Sequence, residues 1–222
     1  MKKYISIILS LISALAFLLL SIPSLADTSL EQVIEGIRHR YGKEEGFRVE
    51  YVRELLTPSM ALLKLREGEK AGGTIYFKPP CLLRLEQRFP THEYIISGSK
   101  YIWWFLPDKK EAYRYKKEQF SEEFNILIDI LAGFREMGFN MEIVSESSNK
   151  IQLLIKGFKA PSHLESIKVN IEKGTWTIKV IEIHDISGQI TTFYLKDIRR
   201  DIPIKDDMFN FKVPLGVRVM EE

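Results

Sequence analysis

The chain has 222 residues, a formal net charge of +2, 45% apolar and 28% charged side chains, and a single cysteine. So even a balance argues against nucleic acid as a partner, because phosphate binding needs a basic footprint. One cysteine rules out an internal disulfide, so the fold must be held by its core.

Lys2 and Lys3 precede an apolar run from Ile5 to Ile22, and Ser24-Leu25-Ala26 places small residues where a signal peptidase reads. Residues 1–26 are therefore expected to be a cleaved signal peptide, and 27–222 a single domain, soluble and exported. An uncleaved anchor is the competing reading, since a span needs about 20 apolar residues. Cys81 lies far from this run, so attachment of lipid at a lipobox is not expected.

Thr28-Ser29-Leu30-Glu31 fits a capping box. Leu30, Val33, Ile34, Ile37 and Tyr41 then form one helical stripe, with Arg38, Arg40 and Lys43 near its end and Gly42 and Gly46 closing it. From Phe47 to Leu56 the period falls to two, with Phe47, Val49 and Tyr51 on one face. Pro58-Ser59 reads as a turn and Met60 to Arg66 as a returning strand. The stretch from Gly72 to Pro107 holds four strands, Thr74–Lys78, Leu82–Arg88, Glu93–Ser97 and Tyr101–Leu106. They are broken by Pro79-Pro80, Pro90 and the turn at Gly98. Turns this short require antiparallel neighbours. Glu111 to Lys116 adds a further strand.

Between Ser121 and Gly138 the helical period returns. Ser121 can cap, and Phe124, Leu127, Ile128, Leu131 and Phe134 form a stripe widened by Ile126 and Ile130. Such a helix is either buried between layers or a lid over an apolar cavity. Strands follow at Asn140–Ser145, Lys150–Lys156, Ser166–Glu172, Thr175–His184, Gln189–Asp197 and Val217–Met220, with a turn at Pro161-Ser162. A phase slip within Thr175–His184 suggests a bulge. About eleven strands and two or three helices give a mainly β (α+β) class. That many antiparallel strands curl into a barrel or a strongly bent sheet with a concave face, which is plugged or holds a ligand.

Catalytic patterns are weak. His39, His92, His163 and His184 are dispersed, without metal-ligand spacing. His184-Asp185 lacks a nucleophile elbow, and no phosphate-cradling loop is present. Glu44-Glu45 and Glu122-Glu123 read as solvated ends. Neither catalysis nor a metal nor a cofactor is expected; apolar surface with a few cations suits binding. For a cavity the expected lining is Ile75, Phe77, Leu83, Leu85, Trp103, Phe105, Phe124, Leu127 and Leu131, though a one-residue change of strand phase would exchange strand residues for their neighbours.

Three patches in order resemble the LolA family, the periplasmic carriers of outer-membrane lipoproteins. Gly73-Thr74-Ile75-Tyr76-Phe77-Lys78-Pro79-Pro80 with Leu83-Arg84-Leu85-Glu86 resembles its Gly, aromatic, basic, Pro signature and the strand after it. Ser97-Gly98-Ser99-Lys100 with Ile102-Trp103-Trp104-Phe105-Leu106-Pro107 resembles its turn and Trp strand. Gln189 to Phe193, then Phe209-Asn210-Phe211, Pro214, Gly216 and Val217, resembles its C-terminal pattern.

The resemblance implies a bent, incompletely closed antiparallel barrel lidded by helices, and a monomeric carrier of acylated lipoproteins or lipids. Its partners would be an inner-membrane lipoprotein-releasing ABC transporter and an outer-membrane lipoprotein receptor. The family's Arg before the signature Pro is replaced here by Pro79, preceded by Lys78, and its turn Asp by Gly98. Lys78 or Arg84 is expected to supply the missing cation in cargo transfer. A sensor of misplaced lipid in envelope stress signalling is the alternative use of the same architecture.

Overall fold

The structure is a computed structural model that describes residues 28–42, 45–63, 68–98, 100–134, 140–158, 162–200 and 202–221. The expected signal peptide, Ser99, Pro161 and the predicted helical residues 135–138 lie outside these residues.

Helix α1 (Leu30–Tyr41) forms on the predicted stripe and buries Val33, Ile34, Ile37 and Tyr41. Its capping box sits one residue later than expected. Gln32 N donates to the Ser29 hydroxyl (3.2 Å), and Ser29 N donates to the Gln32 side chain (3.1 Å). Thr28 is thereby free to tie the helix to a sheet edge, its amide and hydroxyl donating to the Glu146 carboxylate at 3.1 and 2.6 Å. Lys173 pairs with the same carboxylate.

Among the described residues twelve strands form one sheet: β1 (Phe47–Leu56), β2 (Glu69–Lys78), β3 (Leu82–Phe89), β4 (Glu93–Ser97), β5 (Tyr101–Leu106), β6 (Glu111–Lys116), β7 (Asn140–Glu146), β8 (Lys150–Lys156), β9 (Leu164–Glu172), β10 (Thr177–Asp185), β11 (Ile190–Arg199) and β12 (Arg218–Glu221). Their order is β12-β6-β5-β4-β3-β2-β1-β11-β10-β9-β8-β7. β12 runs parallel to β6, and the other pairs are antiparallel. β7 and β12 stay as edges, so the expected incompletely closed barrel is the one observed. The phase slip in β10 is a bulge between Ile178 and Val180.

The strand expected at Met60–Arg66 does not form over its described residues, 60–63; the rest of it lies outside them. Helix α2 (Pro58–Leu62) occupies its start, because Pro58 suits a first helical turn and the Thr57 hydroxyl accepts from Met60 N at 3.5 Å. The return strand is β2, with Gly72 and Gly73 inside it opposite Val52 and Tyr51. Gly73 is required there: a Cβ would lie 1.8 Å from the Glu86 carbonyl oxygen.

Helix α3 (Glu122–Leu131) is capped as predicted, the Ser121 hydroxyl accepting from Phe124 N at 3.4 Å. Phe124, Ile126, Leu127, Ile128, Ile130 and Leu131 are all buried, so α3 is apolar around most of its circumference. One apolar cluster joins α1, α3 and the inner faces of the sheet from Phe47, Ile75 and Leu83 round to Ile151, Ile167, Ile181 and Phe193. A second apolar layer lies on the outer face, where Ile96, Ile204 and Phe209 are buried apart from that cluster.

This packing can be tested at two points. Gly73→Ala pushes backbone against backbone and should cost about 3 kcal/mol, lowering Tm by roughly 6–12 °C; an unchanged melting curve would contradict the close approach. Lys173 and the Thr28 hydroxyl hold the Glu146 carboxyl down at a pKa of about 2. A depressed folded pKa stabilises above the ordinary carboxylate range and is lost as pH falls from about 4.5 toward 2. Glu146→Gln should therefore flatten the fall of Tm over that window, and a profile parallel to the wild type would refute the pairing.

Candidate functional site

The inner-face alternation of β1 continues past Tyr51 to Arg53 and Leu55. Between this wall and the first turn of α3 lies a cavity of about 260 Å³. Arg53, Leu55, Leu85, Ile95, Phe120, Phe124 and Phe193 line it, together with Ser121, Glu123, Gln189 and Thr191. A chain of rings runs up to it along β5 and β6: Trp104 on Tyr113 (5.2 Å), Tyr113 on Tyr115 (6.5 Å), Tyr115 on Phe120 (5.1 Å) and Phe120 on Phe124 (5.2 Å). Tyr51, tilted against Phe193, is buried and its hydroxyl has no partner among the described residues. Burial pushes that phenol's pKa up.

The cavity is smaller than the roughly 300–1,000 Å³ usual for small-molecule sites. A long apolar molecule would fit under α3 only if α3 gave way. The contacts holding α3 suit that. At its N-terminal end, Ser162 Oγ and His163 N donate to the two Glu122 carboxylate oxygens at 2.7 and 3.0 Å. Just past its C-terminal end, Arg38 Nε and Nη2 donate to the carbonyls of Gly133 and Phe134, both at 3.3 Å. That puts a cation where the helix dipole favours one. Between these anchors the helix is held largely by apolar packing, which is non-directional and which another hydrocarbon can replace.

Seven of the nine expected lining residues, Ile75, Phe77, Leu83, Leu85, Phe124, Leu127 and Leu131, lie in the apolar cluster beneath and within α3. Leu85 and Phe124 reach the cavity itself. Trp103 and Phe105 do not join them. Their phase is opposite to that of Ile102, which faces the cluster, and they stand on the outer face with Phe211 between them at 5.1 and 5.2 Å. Lys78 and Arg84 also point outward. Lys78 Nζ donates to Asp206 (2.5 Å) and to the Ile204 carbonyl (3.4 Å). Arg84 bonds Glu86 (2.7 Å) and the Met208 carbonyl (3.1 Å).

The cation at the cavity is instead Arg53, which the period-two pattern of β1 would have shown if extended by two residues. Phe193 follows from the same logic on β11. Ile95 and Phe120 carry no comparable signal, since both depend on how distant segments meet.

A family profile described as "Outer membrane lipoprotein carrier protein LolA" matches residues 63–212. The chain belongs to the LolA family. An outer-membrane lipoprotein carrier protein of Vibrio parahaemolyticus is 26% identical over 210 residues, covering 92% of this chain and 93% of the relative. One from Azotobacter vinelandii is 22% identical over 213 residues, covering 96% and 97%. The fold is shared with an uncharacterized conserved protein of Thermus thermophilus at a TM-score of 0.56 and 9% identity, over 88% of this chain and 100% of that one. For this LolA protein, no helix among the described residues is long and apolar enough to cross a membrane.

Arg38→Ala removes the C-terminal anchor of α3. Hydrogen bonds to a charged group contribute about 1.5–3 kcal/mol, so α3 amides should exchange at least tenfold faster while amides of β1 to β3 keep their rates. Equal acceleration throughout would make Arg38 a support of the whole fold.

Proposed function

We propose that this protein is a periplasmic carrier that holds the acyl chains of lipoproteins between α3 and the concave face of the sheet. It takes them from an inner-membrane ABC transporter and delivers them to a receptor at the outer membrane. The observation that carries this reading is α3 itself: a helix whose six apolar residues are all buried, polar-anchored at both ends, over an apolar wall, in a chain of a lipoprotein-carrier family. Each methylene exposed to water costs about 0.8 kcal/mol, so acyl chains cross an aqueous compartment only when covered.

Loading replaces the contacts of α3 with contacts to the acyl chains. The affinity stays graded because little in the cavity is directional. Arg53, Ser121, Gln189 and Thr191 line the cavity and are polar groups available to the ester and amide head of such a cargo. The same reading has residues 1–26 removed on export, the remainder acting as a monomer without catalysis, and Lys78 and Arg84 fastening the outer C-terminal segment.

Native mass spectrometry of the protein purified from its own periplasm tests this directly. An acylated protein bound in stoichiometric complex supports the carrier; a clean mass, even after incubation with lipoprotein-containing membranes, moves the reading to a lipid-sensing interaction module. Phe120 is half-buried and lines the cavity, so Phe120→Glu should leave cooperative unfolding intact and weaken binding of pyrene-labelled palmitate by roughly tenfold or more, on the scale of one lost apolar side chain.

A further inference from the structure

We infer that Leu62, Leu63 and Ile186 form an apolar tip that contacts the lipid surface beside the cavity mouth; the inference rests on the carrier reading above. These three side chains are 83%, 74% and 70% exposed, in contrast to the buried aliphatic residues of the core. They come from two segments brought together by the fold. Leu62 ends helix α2 and Leu63 follows it, and Ile186 lies in the turn between β10 and β11. The register Leu56↔Ile190 aligns those segments, and a Cβ on Gly188 would lie 3.4 Å from Pro58 Cγ.

Both segments are fixed. Asp185 Oδ1 accepts from Ser187 N (2.7 Å), Ser187 Oγ (2.6 Å) and Gln189 N (3.1 Å), and Ile186 N donates to the His163 carbonyl (2.8 Å). Leu63 N donates to Ser59 O at 3.1 Å. The apolar side chains are thus presented by backbone held in place, so burying them orders little that is not already ordered. Their position is specific too. Leu55 and Gln189, which line the cavity, are neighbours in sequence of the two segments that carry the tip.

The occupant follows from place and size. Three side chains fall well short of the roughly 800 Å² that a stable protein partner covers on each side. They suffice for shallow, reversible insertion at the level of lipid headgroups. A lipid surface is also where acyl chains entering this mouth begin and end. An apolar tip touching lipid at that point shortens the path over which those chains meet water. Insertion of this kind is driven by apolar transfer and needs no anionic lipid.

The test is flotation of the exported protein, released by osmotic shock, with vesicles of phosphatidylcholine and, separately, of phosphatidylethanolamine with phosphatidylglycerol. The wild type should float with both and stay bound in high salt. Leu63→Ser should lower the partition roughly tenfold, and the Leu62→Ser, Leu63→Ser, Ile186→Ser triple variant should reduce it to background with Tm unchanged. The inference is overturned if the wild type stays in solution, if the triple variant floats like it, or if binding is confined to anionic vesicles and released by salt. Capture only by vesicles containing an inner-membrane protein also overturns it, in favour of a protein partner. Binding of pyrene-labelled palmitate without vesicles reads the carrier proposal separately; its loss with flotation intact would sink that proposal and leave the lipid contact standing.

Discussion

The structure turns on the need to cover one concave apolar face. A curved sheet whose edges do not meet cannot bury its inner side chains against itself, as a closed barrel can. Helices α1 and α3 do this instead, and they do it differently. α1 has a polar side and an apolar stripe and behaves as ordinary packing. α3 buries residues over most of its circumference, so it has little solvated face of its own. Water does not wet such a helix well, and hydrocarbon does, which under the carrier proposal makes α3 the element that an acyl chain competes with.

The outer face solves a separate problem. Ile96, Trp103 and Phe105 would leave an apolar patch on the convex side of β4 and β5. The segment through Ile204, Phe209 and Phe211 covers it, fastened by Lys78 and Arg84 to its backbone carbonyls. Bonds from these cations to carbonyl groups, with the Asp206 carboxylate pairing with Lys78 beside them, fix the position of the segment. The family's signature region therefore contributes its apolar side chains to the inner cluster and its charges to an outer brace.

How much of this was legible in the sequence depended on the range of the interaction. Period and capping gave α1, α3 and most strands, because those are set by neighbours three or four residues away. The missed α2 shows the limit: Met60 to Leu65 reads apolar in either conformation, and the Thr57 cap with Pro58 at the first turn decided for helix. The same holds at the site. Leu85 and Phe124 were found from their own elements. Trp103 and Phe105 were misplaced because a strand with large side chains on both faces does not reveal which face is inner until Ile102 is seen against the core. Lys78 and Arg84 were read as candidate cations for cargo transfer, and no sequence sign showed that the C-terminal segment crosses outside them.

His163 carries a consequence beyond its own hydrogen bonds. Its backbone N–H holds the carboxylate at the start of α3, and its backbone C=O holds the amide of Ile186. One residue thus anchors both the covering helix and the exposed turn. Thermodynamic linkage makes any coupling through it run equally in both directions. The factor by which a lipid surface eases the release of α3 is the factor by which a filled cavity changes affinity for that surface, so the empty and loaded forms would hold a membrane with different affinities.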